Sequence, residues 1–274
     1  MTAVTAVTAA RLRARLAAVA ADRRAALIVY LTAGDPSPAA TAGLIAAAAR
    51  GGADVIELGV PFSDPSADGR AIQAAMERAL AAGGGLVSAL AAVAAARAAG
   101  VDVPIVLFGY YNPIFVHGVE RFAAAAAAAG VDAALTVDLP IEELDELAGP
   151  LAAHGLGVVP LLAPTSTPER IARLRPLAPP FVYYISLTGV TGAAFDPARV
   201  AGDRIATIRA VTGAPVAVGF GIKTAADAAA VAAVADGVVV GSAVVERIGA
   251  AGAAGAAAAV EQFVAELRQA MARP

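Results

Sequence analysis

Apolar positions along this chain follow two alternating rhythms. Short runs rich in Val, Ile, Leu and aromatic residues read as buried strands over 27–31, 55–58, 105–108, 134–137, 158–162, 182–186, 216–220 and 238–240. Between them lie alanine-rich stretches of helical spacing, over 41–50, 86–99, 119–129, 142–153, 168–177, 204–211 and 225–234, with a last helix over 256–270. Ahead of the first strand, Leu12, Leu16 and Val19 fall on one stripe and predict an amphipathic helix within residues 1–25.

Punctuation supports those elements. Thr167 before Pro168 reads as an N-cap with proline at the first helical position. Thr224 with Asp227 three residues on resembles a capping box. Gly52, Gly100, Gly130, Gly155 and Gly213 each follow a helical stretch, where a left-handed cap is wanted.

Strict alternation of eight strands with helices predicts the α/β class and a parallel sheet buried on both faces. Eight such strands can close on their own side chains, so the expected fold is a (β/α)8 TIM barrel with an extra N-terminal helix across its bottom. The 274 residues are read as one domain, 1–274. An open doubly wound sheet is the competitor, but GFGIKT at 219–224 lacks the third glycine of a dinucleotide fingerprint.

Composition mostly removes possibilities. The 59% hydrophobic fraction and mean hydropathy of +0.71 come from alanine. Gly, Arg, Asp or Glu breaks every long apolar stretch, so no membrane span is expected. A net charge of −3 without a basic run argues against nucleic acid. With no cysteine, disulfides and thiol chemistry are excluded, and a cytoplasmic location is expected. Two histidines, His117 and His154, are too few to suggest a metal centre.

In such a barrel, chemistry belongs at the C-terminal strand ends. Glu57 ends an apolar strand, where a carboxylate is expensive unless it has a task or a partner. Asp68 follows eleven residues later in a Pro- and Gly-punctuated loop. Two carboxylates in different surroundings can supply an acid and a base together.

Gly219, Gly221, Gly241 and Ser242 end strands seven and eight, before a short helical stretch over 243–247; this is where barrels commonly bind phosphate. A glycine-bounded segment over 187–202 reads as a lid loop. Tyr30, Phe108, Tyr183 and Phe220 are either an aromatic slot or plain core. Lys223, the only lysine, suggests a Schiff-base aldolase as a rival, although its loop position predicts that it faces solvent.

Taken together, these segments resemble the tryptophan synthase alpha subunit family along nearly the whole chain. The motifs are LTAGDP at 31–36, IELGVPFSDP at 56–65, ADG at 67–69 and YYNP at 110–113. Then come VDLP at 137–140, YISLTGVTG at 184–192, GFGI at 219–222 and Gly241-Ser242. The resemblance implies retro-aldol cleavage of indole-3-glycerol phosphate to indole and glyceraldehyde 3-phosphate, with no cofactor in this chain. By position, Glu57 matches the general acid at indole C3, and Asp68 the base at the indole nitrogen. Tyr30, Phe108, Tyr183 and Val240 match the indole sandwich. Gly192, Gly221, Gly241 and Ser242 match the phosphate site, and Thr191 the lid residue that positions the aspartate.

The resemblance also implies a pyridoxal-phosphate beta subunit in an alpha2beta2 heterotetramer, contacted through Asp64, Pro65, Tyr111 and Asn112. Ser66 and Arg70 depart from the family's usual apolar residue and proline. They flank Asp68 and leave open a lyase that works alone and releases free indole. A non-catalytic barrel that binds a phosphate ester is the alternative from another class.

Overall fold

Strand and helix alternate from end to end in the computed structural model, which describes residues 8–185, 197–219 and 221–272. The first half runs α1 (Ala10–Ala21), β1 (Ala26–Thr32), α2 (Thr41–Arg50), β2 (Val55–Gly59), α3 (Arg70–Ala81), α4 (Leu86–Ala98), β3 (Ile105–Gly109), α5 (Tyr111–His117), α6 (Val119–Ala129) and β4 (Ala133–Thr136). Next come α7 (Asp145–Ala153), β5 (Gly157–Val158), β6 (Leu161–Leu162), α8 (Pro168–Ala172) and β7 (Val182–Ile185). The chain finishes with α9 (Pro197–Thr212), β8 (Val216–Gly219), α10 (Ala225–Ala232), β9 (Gly237–Val240) and α11 (Ser242–Ala270).

All described strand pairs are parallel, in the order β5-β4-β3-β2-β1-β9-β8-β7-β6. β5 and β6 are two halves of one barrel strand. The amide of Val159 still donates to Ala134 on β4, whereas the carbonyl of Pro160 accepts from Tyr183 on β7. Pro160 has no N–H to continue the first ladder, so the chain passes from one sheet edge to the other there. That hand-over closes an eight-stranded barrel.

Period-two alternation then divides the apolar residues into two cores. Leu27, Val29 and Leu31 of β1, with Ile56 and Leu58 of β2, pack outward against the helices. Ile28 and Tyr30, with Val55, Val106, Phe108 and Tyr183, fill the interior, whose floor is Leu12, Leu16 and Val19 of α1. The predicted N-terminal helix therefore sits where the stripe placed it.

Around the floor, one device recurs three times. Asp54, Asp132 and Asp236 lie just before β2, β4 and β9, and each accepts an amide from the start of a neighbouring strand: Leu27 at 2.9 Å, Ile105 at 2.8 Å and Val216 at 2.8 Å. Arginines complete each site. Arg24 and Arg268 pair with Asp54, Arg97 and Arg11 with Asp132, and Arg209 with Asp236.

The structure also corrects the sequence reading. α3 and α5 were not predicted, and α9 begins at Pro197 rather than 204. α5 has only seven residues, too few for a periodic signal, and Pro113 sits in its first turn, where a missing N–H costs nothing. α11 is long and apolar enough by composition to cross a membrane, against expectation. It breaks at Gly252 and buries Val244, Val245, Ile248, Val260, Phe263, Val264 and Leu267, which marks it as a packed helix.

Candidate active site

Parity places Val55, Glu57 and Gly59 on the inner face of β2, so Glu57 points into the barrel beside Tyr30 and Val106. It is 1% exposed, and neither carboxyl oxygen has a hydrogen-bond partner among the described residues. A charge there would have no counter-ion among the described residues, and burial pushes its pKa up to about 8. That shift favours the protonated acid near neutral pH.

Asp68 reaches the same space from the loop after β2. Its amide donates to Pro65, Gln73 Nε2 donates to its carbonyl at 2.8 Å, and the Tyr110 hydroxyl donates to Oδ2 at 2.6 Å. Burial raises the Asp68 pKa, and the Tyr110 hydrogen bond opposes that rise. Half-buried, Asp68 is the wetter of the pair.

Both carboxylates line one pocket at the C-terminal mouth of the barrel, with Tyr30, Ile72, Phe108, Leu161, Tyr183 and Val239 as its apolar walls. Among the described residues, no arginine contributes to it. Tyr30 meets Phe108 edge-on at 5.4 Å between ring centres, and Phe108 lies 6.4 Å from Tyr183. Two strand-end glycines make room for these rings. A Cβ on Gly59 would strike the Tyr30 hydroxyl, and one on Gly219 the Tyr183 hydroxyl. Burial raises both phenol pKa values, so both rings are neutral walls.

Gly221, Gly241 and Ser242 line the same pocket. Ser242 opens α11, and the first carbonyl used by that helix is Gly241's, which accepts from Val244 and Val245. The amides of Ser242 and Ala243 precede that ladder and are free for an anion. Gly221 holds φ +77°, a conformation that favours glycine.

Most of the expected residues converge here: Tyr30, Glu57, Asp68, Phe108, Tyr183, Gly221, Gly241 and Ser242 share the pocket. Val240 does not. Its side chain packs outward in the helix-facing core, and Val239, one residue earlier on the inner face, lines the pocket instead. Lys223 lines the pocket mouth rather than facing away from it; it remains exposed, unlike the desolvated lysine a Schiff base requires. Thr191, Gly192, Phe220 and the core of the expected lid lie outside the described residues.

Sequence reading also missed Ile72, Leu161 and Val239. Strict inner-face alternation could have found the last two, while Ile72 needed α3. Asp64 and Asn112 are exposed, and Pro65 and Tyr111 half-buried, around α5, where Phe115 and Val116 are 64% and 72% exposed.

Comparisons with known proteins agree with this geometry. Residues 16–272 match the family model described as tryptophan synthase alpha chain. The tryptophan synthase alpha chain of Laribacter hongkongensis is 52% identical over 262 residues, covering 95% of this chain and 98% of the relative. That of Geobacter sulfurreducens is 52% identical over 250 residues, covering 91% and 94%. Among solved structures, tryptophan synthase subunit alpha from Legionella pneumophila matches with a TM-score of 0.88 at 38% identity, over 95% of this chain and 98% of that one. An aminoacrylate-bound tryptophan synthase from M. tuberculosis matches at 0.85 and 35% identity, over 96% and 99%. The chain belongs to the tryptophan synthase alpha chain family.

Proposed function

We propose that Glu57 and Asp68 perform the family's reaction in this chain, the cleavage of indole-3-glycerol phosphate to indole and glyceraldehyde 3-phosphate. The observation that carries this reading is a buried Glu57, without a hydrogen-bond partner among the described residues, that shares an aromatic-walled pocket with a second carboxylate. Glu57, protonated below about pH 8, delivers its proton to indole C3. Asp68 accepts the hydrogen of the indole N–H as positive charge develops on the ring. The bond from C3 to the glycerol carbon then breaks, its electron pair returning to the ring, and Asp68 gives the hydrogen back to the indole nitrogen. The adjoining hydroxyl becomes the aldehyde, and its proton restores Glu57.

Tyr30, Phe108 and Tyr183 hold the ring flat and dry, which strengthens every electrostatic contact inside. Backbone amides at Gly221, Gly241 and Ser242 hold the phosphate. Side chains of this subunit supply all the groups the cleavage uses. Pyridoxal phosphate belongs to a beta subunit that receives the indole in a heterotetramer, docked on the face carrying Asp64, Pro65, Tyr111 and Asn112. The complex works in the cytoplasm.

Indole release from indole-3-glycerol phosphate tests the assignment. Glu57→Gln and Asp68→Asn are expected to lose most turnover yet retain substrate binding; wild-type rates in either would refute its role. Ser66 and Arg70 are both exposed beside the loop, so the assay is repeated with a beta subunit. Stimulation is the expected result.

A further inference from the structure

Asp68 and Glu57 are anchored differently. Glu57 rides on β2, hydrogen-bonded on both sides, so the barrel itself fixes it. Asp68 sits on a loop whose other ties, Ser66 to Asp64, Asp68 to Pro65 and Gln73 to Pro65 and Asp68, are local to the loop and the helix it feeds. Among the described residues, one side chain hydrogen-bonds this loop to the barrel. Tyr110 stands directly after β3, is 4% exposed and packs its ring on Phe62 at 4.9 Å. Its hydroxyl accepts from the amide of Ala67 at 3.0 Å and donates to Asp68 Oδ2 at 2.6 Å.

We propose that Tyr110 is a positioning residue: its hydroxyl locks the loop to the rigid end of β3 and holds Asp68 with Oδ1 free to face the indole nitrogen. This rests on the reading of Asp68 as the base. A phenol donating to a carboxylate at this length is a charge-assisted bond, stronger than a neutral one. It occupies one oxygen and orients the other. The remaining charged or titratable groups around the pocket are Glu57 on β2, Tyr30 on β1, Tyr183 on β7 and Lys223 after β8. Among the described residues, none of these hydrogen-bonds to Asp68. The bond also favours the ionised carboxylate, the form that acts as base.

The same tyrosine immediately precedes α5, whose outer side exposes Phe115 and Val116. A shift of that helix would reach Asp68 through a single residue.

Tyr110→Phe keeps the ring on Phe62 and removes only the hydroxyl. Indole release by the full chain is measured against pH for wild type, Tyr110→Phe, Asp68→Asn and the double variant, with melting temperatures to confirm folding. Tyr110→Phe is expected to lower kcat roughly ten- to a hundredfold, as for loss of a hydrogen bond to a charged group. KM should stay within about threefold, since substrate binding does not use the hydroxyl. The acid limb of kcat/KM should move to higher pH, and in the Asp68→Asn background the Phe substitution should add almost nothing. An unmoved acid limb, or losses that multiply in the double variant, would overturn the role of Tyr110. Wild-type turnover by Asp68→Asn alone would instead remove the base assignment beneath it.

Discussion

Two buried carboxylates stand three residues apart, one just before β2 and one within it, and have opposite surroundings. Asp54, 3% exposed at the barrel floor, receives Arg24 at 2.5 and 2.8 Å, Arg268 at 3.2 Å and the Leu27 amide at 2.9 Å. Glu57, 1% exposed at the mouth, receives nothing among the described residues. Burial is the same, so burial does not separate a structural acid from a reactive one; the partners do. At the floor the chain repeats the satisfied arrangement at Asp132 and Asp236. At the mouth it leaves one carboxyl bare and gives the other a single phenol. Stability is built at one end of the barrel and reactivity at the other, as this fold allows.

The largest expected effect comes from removing the bare acid. Glu57→Gln should cut indole release by roughly 10²–10⁴-fold, the usual worth of general acid catalysis, while the chain stays folded. The floor should respond the other way. Asp54→Ala strands two arginines, 24% and 21% exposed, and orphans an amide. Breaking a largely buried pair costs about 3 kcal/mol, read as a lower urea midpoint. Specific activity of the folded fraction should not change. If Asp54→Ala lost turnover without losing stability, the division of labour would fail.

That division was only half legible in the sequence. Glu57 in an apolar strand announced itself because one residue violated its neighbours, and the strand ends delivered most of the pocket. Nothing local in the sequence marks Asp54, Asp132 and Asp236, since their arginines come from positions as distant as 11 and 268. Tyr110 was visible as a strand-end residue, but its bond to Asp68 spans 42 positions and depends on a loop path no periodicity encodes. Val240 falls outside the pocket because parity along β9 turns Val239 inward. α3 was overlooked although Ile72, Ala75, Met76 and Ala79 have helical spacing, and with it went Ile72.

The bare acid also leaves a signature in stability. Folding raises the Glu57 pKa from its ordinary 4.5 to about 8, so between those values the folded state holds a proton the unfolded chain has released. Wild-type stability should therefore fall as pH rises through that window. Gln cannot ionise in either state, so Glu57→Gln should match wild type near pH 4 and exceed it at pH 7, by about 3 kcal/mol. Urea denaturation of both proteins across this range measures the gap. A gap that stays flat with pH would mean that Glu57 is ionised in the folded protein and has found a partner.

The smallest effect sharpens what the floor pairs mean. Arg50 on α2 reaches Glu261 on α11 through two bonds, 2.9 and 2.8 Å, both to Oε2, so the distances match those at Asp54 although the two-oxygen fork does not. Here both side chains are open, 57% and 42% exposed, so water screens the attraction and the arginine gives up little by leaving. Arg50→Ala should change unfolding free energy by less than about 0.5 kcal/mol, shrinking further in high salt. Comparing its urea midpoint with that of Asp54→Ala asks whether geometry or burial sets the value of an ion pair. If the two losses came out equal, the floor latches would owe nothing to their depth, and the contrast between Asp54 and Glu57 would need another cause.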